Sequence, residues 1–190
     1  MKYTDATARL ADYRRQIGEL RNKMRETQAA IEPQEVEDYE LASAQGPVRL
    51  SGLFGAHADL IMIHNMGRSC AYCTLWADGY NGIHHHVATR AAFVISSPDP
   101  PEVQQSFAAG RGWKFPMVSH QGTSFAADMG YRGPQGHWRP GISVFQRAGS
   151  RIVRVSDTDL HPGDDFCTVW HLFDLLPKGP AGWAPKFSYG

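Results

Sequence analysis

Two cysteines three positions apart, Cys70-Ala-Tyr-Cys73, are the residues of this chain with the clearest chemistry. They come after an apolar run, Leu60-Ile-Met-Ile63, and a break at Gly67 and Ser69. Four apolar residues in a row fit a central strand covered on both faces. Glycine supplies a tight turn and serine is a good helix N-cap, so a helix is expected to begin near the first cysteine. Positions i and i+3 of a helix share a face, which lets the two sulfurs meet. The first sulfur then lies beside unpaired N–H groups at the positive end of the helix dipole, and both favour thiolate over thiol. The predicted chemistry is thiol–disulfide exchange: Cys70 attacks a substrate disulfide, and Cys73 resolves the mixed disulfide into a Cys70–Cys73 bridge. Arg68, two residues before Cys70, adds positive potential. Tyr72, inside the pair, and Trp76, one turn on, are supporting residues, with Trp76 and Tyr80 better suited to a core than to a substrate platform.

A Cys-x-x-Cys pair is also half of a zinc site, which needs four tetrahedral ligands. His84-His85-His86 come at a finger-like distance, but the next positions that should carry histidine hold Arg90 and Ala91. Three adjacent histidines also point in different directions on a helix. The expectation is no bound metal or cofactor, with a zinc-binding variant as an alternative. Cys167 reads as a small core residue and Asp164-Asp165 as helix capping. No phosphate-binding glycine loop is present, so nucleotide use is not supported.

Nineteen basic and nineteen acidic residues cancel, which points to neither nucleic acid nor an anionic membrane as a partner. No apolar run approaches the roughly 20 residues that span a bilayer. Met1 to Asp5 lead into a charged helical pattern without an apolar signal-peptide core. Three cysteines, an odd number, make no disulfide framework. The expected setting is the reducing cytoplasm, where such a pair is more often catalytic or metal-binding than structural.

The elements that must position the pair can be read in order. Residues 4–31 form a long helix with Leu10, Ile17, Met24 and Ile31 every seven positions and Tyr13 and Leu20 between them. That seam either packs on its own domain or is shared with a second chain, a homodimer through the N-terminal helix. Residues 34–46 read as a linker or edge segment, with a short strand next to them near Val48. After Cys73 the helix is expected to be interrupted near Gly79 and Gly82 and to resume through His84–Arg90. A second buried strand covers Ala91–Ser96, and a helix opens at Pro98–Pro101 with Val103 and Phe107 inward. A short strand near Trp113–Ser119 is an edge or an end because of Pro116. Residues 120–139 read as a variable loop, with Gly130-Tyr-Arg-Gly133 as a lid over the cysteines the alternative. A hairpin pairs Pro140–Phe145 with Arg151–Val155, and a last helix covers about Asp165–Leu176. The predicted class is α/β, a three-layer α/β/α sandwich around a mixed sheet, with residues 1–33 as a helical appendage and 34–190 as the domain.

The chain resembles the thioredoxin-like family designated DUF899, described as predicted dithiol-disulfide oxidoreductases. The resemblance is carried by His64-Asn-Met-Gly67, Cys70-Ala-Tyr-Cys73-Thr-Leu-Trp-Ala-Asp78, Ser96-Ser-Pro98-Asp-Pro-Pro101, Phe115-Pro-Met-Val-Ser119, Pro140-Gly-Ile-Ser-Val-Phe145 and Pro162-Gly-Asp-Asp-Phe166. It implies a thioredoxin-like fold with a peroxiredoxin-like extra N-terminal strand. Thioredoxins place a cis-proline before the strand that faces the cysteines, and Pro140 fits by order; it would offer a backbone edge to an extended thiol substrate. His64 stands where thioredoxins carry an acidic residue, and a histidine there would stabilise the Cys70 thiolate or relay a proton. Peroxiredoxins carry Pro-x-x-x-Thr/Ser-x-x-Cys. Counting back from Cys70 finds Ile63 and Gly67, and from Cys73 Met66 and Cys70, so peroxidase chemistry of that type is not expected. The expected function is a thiol-disulfide oxidoreductase acting on a disulfide- or thiol-containing substrate. The competing class is a non-enzymatic binding protein of the same fold, with the N-terminal helix as its contact element.

Overall fold

In the computed structural model, which describes residues 1–190, the heptad segment forms α1 (Tyr3–Ala29). No residue of α1 is buried. Leu10, Tyr13, Ile17, Leu20, Met24 and the nearby Ile31 are 45–61% exposed, so the apolar seam is uncovered along its length. The chain divides into two compact units, Met1–Pro33 and Gln34–Gly190. No helix is long and apolar enough to cross a membrane.

The second unit contains β1 (Gln34–Val36), β2 (Glu40–Ser43), β3 (Gly46–Arg49), a 3-10 turn (Leu50–Phe54) and β4 (Asp59–His64). Then come α2 (Ala71–Val87), β5 (Ala92–Ser97), α3 (Pro101–Arg111), β6 (Met117–Ser119) and α4 (Phe125–Asp128). β7 (Gly141–Ala148), β8 (Arg151–Asp159) and α5 (Thr168–Phe173) complete it. All eight strands form one mixed sheet in the order β1-β8-β7-β4-β5-β6-β2-β3. β4, β5 and β6 are adjacent and parallel. Right-handed crossovers between them put α2 and α3 on the same face.

Strand alternation sorts the core into two layers. Leu60 and Met62 of β4 and Ala92 and Val94 of β5 face one layer, closed by Leu50, Phe54, Phe125, Met129 and Tyr131. Ile63, Phe93 and Ile95 face the other, against Cys73, Trp76, Ala77 and Tyr80 of α2 and Trp170 of α5. Burying each large apolar side chain contributes about 1.5–3 kcal/mol. The helical cover is therefore uneven: α2, α3 and α5 roof one face, while the other is closed by the 3-10 turn, α4 and loop residues.

The structure decides between some of these sequence readings and corrects others. Of the two readings of residues 34–46, linker or edge segment, the structure has the second: they hold β1 and the first residue of β3, at the two edges of the sheet, and β2 beside β3, short pieces with few buried side chains. Pro116 marks the end of β6 rather than an edge of the sheet: it directly precedes the first residue, and the strand lies between β5 and β2. Gly79 and Gly82 do not interrupt α2. Each costs about 1 kcal/mol in helix propensity, and tertiary anchors offset it. Asp78 accepts from Arg111 Nε at 2.9 Å and Trp113 Nε1 at 2.8 Å, and Asn81 accepts from the Lys114 amide at 2.8 Å. α5 is shorter than expected because Asp164 ties the chain before it, accepting from the His161 and Phe166 amides at 3.1 and 2.8 Å. On α3 Phe107 packs inward as expected, partly buried against Trp113, and the fully buried residue is Gln104, whose amide donates to Ser97 and the Val118 carbonyl.

One close approach locks the lower layer. Tyr131 lies over Gly141, and its hydroxyl donates to the Ile142 carbonyl at 2.9 Å. A Cβ at Gly141 would collide with the Tyr131 ring and stand 2.8 Å from the Thr158 carbonyl oxygen. Gly141→Ala is expected to lower stability by about 1–3 kcal/mol through overpacking. Gly79→Ala, in α2 with nothing within 4 Å of the new methyl, is expected to raise it by about 0.5–1 kcal/mol. Denaturant midpoints of the two variants check both signs.

Candidate active site

The site forms where β4 and β5 end side by side. The loop Asn65-Met-Gly-Arg-Ser69 leaves β4 and is held from two directions. Asn65 accepts from the Gly67 amide at 2.8 Å and donates to the Cys73 carbonyl at 3.4 Å. Asp99, just past β5, accepts from the Arg68 amide at 2.7 Å. Gly67 has φ +98°, and a Cβ there would stand 2.9 Å from Asp99 Oδ2, so only glycine lets the carboxylate come this close. Neither Asn65 nor Asp99 was legible as a site residue. Both lie in stretches that carry the family resemblance, but polar residues after strands do not reveal which backbone group they will meet.

The loop delivers Cys70, not Ser69, to the N-cap of α2. Its sulfur accepts a hydrogen bond from the Cys73 amide at 3.1 Å. Cys70 is partly exposed, whereas Cys73 is 3% exposed and packs among Trp76, Ala77 and Tyr80. The Cys70 thiol is lowered to about 7 by the hydrogen bond from the Cys73 thiol, against burial and with help from the Cys73 and Tyr72 amides. Cys73 is pushed the other way by that same hydrogen bond and by burial. Its sulfur also accepts from the Met66 amide at 3.5 Å. The pair is thus split into an accessible sulfur that ionises and an enclosed one that keeps its proton.

A cleft of about 470 Å³ opens on Cys70, lined by Met66, Ser69, Ala71, Tyr72, His137 and Trp138. The last two come from residues 120–139, so this segment, read from sequence as a plain loop, supplies a wall of the site. It is braced by an Arg132–Trp138 bridge and by the Gly133 amide bonded to the His137 carbonyl at 2.8 Å. His120 stacks on Trp138 at 5.0 Å, and the Arg132 guanidinium lies 4.8 Å from the same ring. Tyr72 is braced in turn by Trp170, ring centroids 6.2 Å apart.

The other expected site residues go elsewhere. His64 is fully enclosed in the layer opposite α2, with Nε2 bonded to Ser143 Oγ at 2.9 Å and its ring stacked 3.9 Å from Tyr131. Burial holds it well below the ordinary histidine value, so it carries no charge to lend to a thiolate. Arg68 faces Glu102, Val103 and Ser106 of α3 instead of the cleft. Trp76 is core, its indole donating to Asp164 at 3.3 Å. Pro140 is trans, since the chain has no cis peptide bond, which corrects the cis-proline expectation. Its carbonyl accepts from the Leu160 amide at 3.0 Å, and the Arg139 amide donates to the Tyr131 carbonyl at 2.9 Å. Cys167 is buried at the N-cap of α5, in the same apolar layer as Cys73. Two buried histidines lack partners: His64 at Nδ1 and His120 at both ring nitrogens, the latter lowered to about 4 by burial.

The zinc alternative finds no geometry. No group of three potential ligands comes together anywhere in the chain. His84 stands eleven residues beyond Cys73 on one continuous helix, about 16 Å along its axis.

Structural comparison finds peroxiredoxins of the thioredoxin-like α/β fold. The peroxidoxin BcpB of Mycobacterium tuberculosis is 27% identical with a TM-score of 0.55, covering 67% of this chain and 84% of that one. Peroxiredoxin Q of Xanthomonas campestris is 18% identical with a TM-score of 0.54, covering 64% and 80%. Reduced Prx3 of Vibrio vulnificus in complex with hydrogen peroxide is 13% identical with a TM-score of 0.54, covering 70% and 87%. The last two likenesses concern the fold alone. No protein of curated function matches in sequence. The family model of DUF899, described as a bacterial protein of unknown function, matches residues 2–184, and the chain belongs to that family.

Proposed function

We propose that the protein is a dithiol–disulfide oxidoreductase with Cys70 as nucleophile and Cys73 as resolving thiol. The observation that carries this is the division of labour within the pair: a partly exposed N-cap sulfur that accepts from the Cys73 amide at 3.1 Å, and an enclosed thiol three residues on. The Cys70 thiolate attacks one sulfur of a substrate disulfide, and the departing sulfur takes up a proton. Cys73 then loses its proton, attacks the Cys70 sulfur and expels the second substrate thiol. The dithiol is oxidised to a Cys70–Cys73 disulfide, and the substrate gains two electrons and two protons.

The likeness to peroxiredoxins does not favour a peroxidase. Ile63, where that motif has proline, is buried in the core, and Gly67, where it has a hydroxyl side chain, has no side chain at all. A passive interaction protein would have no use for a thiol lowered to about 7 at the mouth of a cleft.

The alkylation rate of Cys70 by iodoacetamide tests the reading. It is expected to fall about tenfold per pH unit below 7 and to level off above about 8, as thiolate fraction requires. Cys73→Ala, which removes the thiol donor, should move the midpoint up toward the free-thiol value of about 8.5. A wild-type midpoint already near that value would remove the proposal. Cys73→Ser should accumulate a mixed disulfide at Cys70, detectable by mass spectrometry, where the wild type releases it.

The apolar seam of α1 is the second functional surface, and we propose that another copy of this chain covers it. The seam repeats in sevens and is uncovered along its whole length. A heptad stripe is complementary to itself. Its flanks carry Arg9, Arg14 and Lys23, so pairing should tighten as salt screens them. Light scattering should give a dimer mass for the full chain, rising in proportion at higher salt, and a monomer mass once residues 1–33 are deleted. A full chain that is monomeric at all salt concentrations would refute the pairing.

A further inference from the structure

In proteins that reduce polypeptide disulfides on this fold, the substrate strand needs backbone groups beside the cysteines to pair with. In the segment that leads into β7, after His137 and Trp138 of the cleft, two such groups are already used. The Arg139 amide is bonded to the Tyr131 carbonyl and the Pro140 carbonyl to the Leu160 amide, at 2.9 and 3.0 Å, and proline has no N–H to offer. The preceding turn from Gly133 to His137 is closed on itself by the Gly133 amide bonded to the His137 carbonyl and by the Arg132–Trp138 bridge. The space that stays open to Cys70 is a shallow, open depression of about 470 Å³, with room for a small molecule.

Its walls suit a small, non-cationic molecule. Met66, Tyr72 and Trp138 supply apolar and aromatic surface, and no carboxylate lines it. Arg132 stands against Trp138, its guanidinium 4.8 Å from the ring, and brings positive charge to that wall. Both aromatic walls are held from behind, Tyr72 by Trp170 and Trp138 by His120, so the cleft exists before a ligand arrives. Resting on the dithiol reading, we propose that the substrate of Cys70 is a low-molecular-weight disulfide, neutral or anionic, seated between Tyr72 and the His137–Trp138 turn, and not an extended polypeptide. The reaction is the same two-electron exchange: each substrate sulfur leaves as a thiol, and the enzyme is left with its Cys70–Cys73 bridge.

The test uses the reduced full-length protein and three probes: glutathione disulfide (small, anionic), cystamine (small, cationic) and insulin (a polypeptide disulfide). Loss of alkylatable thiol gives each rate, and division by the rate of dithiothreitol with the same probe removes intrinsic reactivity. The quotient for glutathione disulfide is expected to exceed the other two by tenfold or more. Arg132→Gln should lower it several-fold, and Trp138→Ala, which opens the wall, should lower it while raising that of insulin. An insulin quotient equal to or above that of glutathione disulfide overturns the small-substrate proposal. A cystamine quotient equal to it overturns the charge selection. If none of the three oxidises the pair, the dithiol function itself falls, an outcome separate from a wrong substrate class.

Discussion

The hydrogen bond from the Cys73 amide to the Cys70 sulfur is the constraint on which the rest of the site depends. It makes a cysteine the N-cap of α2, where an oxygen side chain usually serves. A sulfur in that position is held by the helix it caps, and a charge on it is stabilised by the same amides that need an acceptor. Any loop that let Cys70 drift would remove the cap and the low thiol value together. The short path from β4 to α2 is therefore fixed at Gly67 by Asp99 and at Asn65 by bonds to both its own turn and the Cys73 carbonyl.

Those anchors explain why the pair sits at the carboxyl ends of β4 and β5. The two strands are parallel and adjacent, so the loops leaving them emerge side by side. Asp99 can then reach across to Arg68 although 31 residues separate them. The antiparallel neighbour β7 starts on the other flank, with Gly141 opposite His64, and brings the 120–139 segment to the cleft. Three strand ends converge on one sulfur, and each contributes a different part: the cap, the clamp and the wall.

Much of this was legible in the sequence because hydrophobic runs and glycines act locally. The apolar run at 60–63, the turn at Gly67 and the paired cysteines placed β4, the loop and the start of α2 correctly. The elements misread or left open are those whose cause is distant in sequence. β1 carries no fully buried residue and exists because β8, more than a hundred residues on, offers it a partner; β2 pairs with its neighbour β3 and joins the sheet through Ala42 opposite Ser119 of β6. α2 continues through two glycines because Arg111, Trp113 and Lys114 hold it. His64 has the right offset from Cys70 to meet it, yet β4 alternates, and at this position the side chain faces Tyr131 and Ser143 on the far side of the sheet. Spacing along the chain sets how far apart two residues can be, and only the pleat decides the face.

The peroxiredoxin likeness and the dithiol pair pull toward different reactions, and the geometry separates them. A shared sheet fixes where a helix N-terminus will present a thiolate, and that much is common to the fold. The surroundings of the thiolate are local. In this chain the positions where a peroxiredoxin would carry its proline and hydroxyl are a core isoleucine and a bare glycine clamped to Asp99. The Cys70 sulfur instead accepts from the amide of a second, enclosed cysteine, whose own thiol is pushed toward its protonated form by its interaction with Cys70 and by burial. A sulfur placed this way is positioned to close the Cys70 bond from inside the protein as soon as a substrate has opened it. The fold thus sets where the Cys70 sulfur is presented, and the residue three positions on sets what that sulfur meets inside the protein.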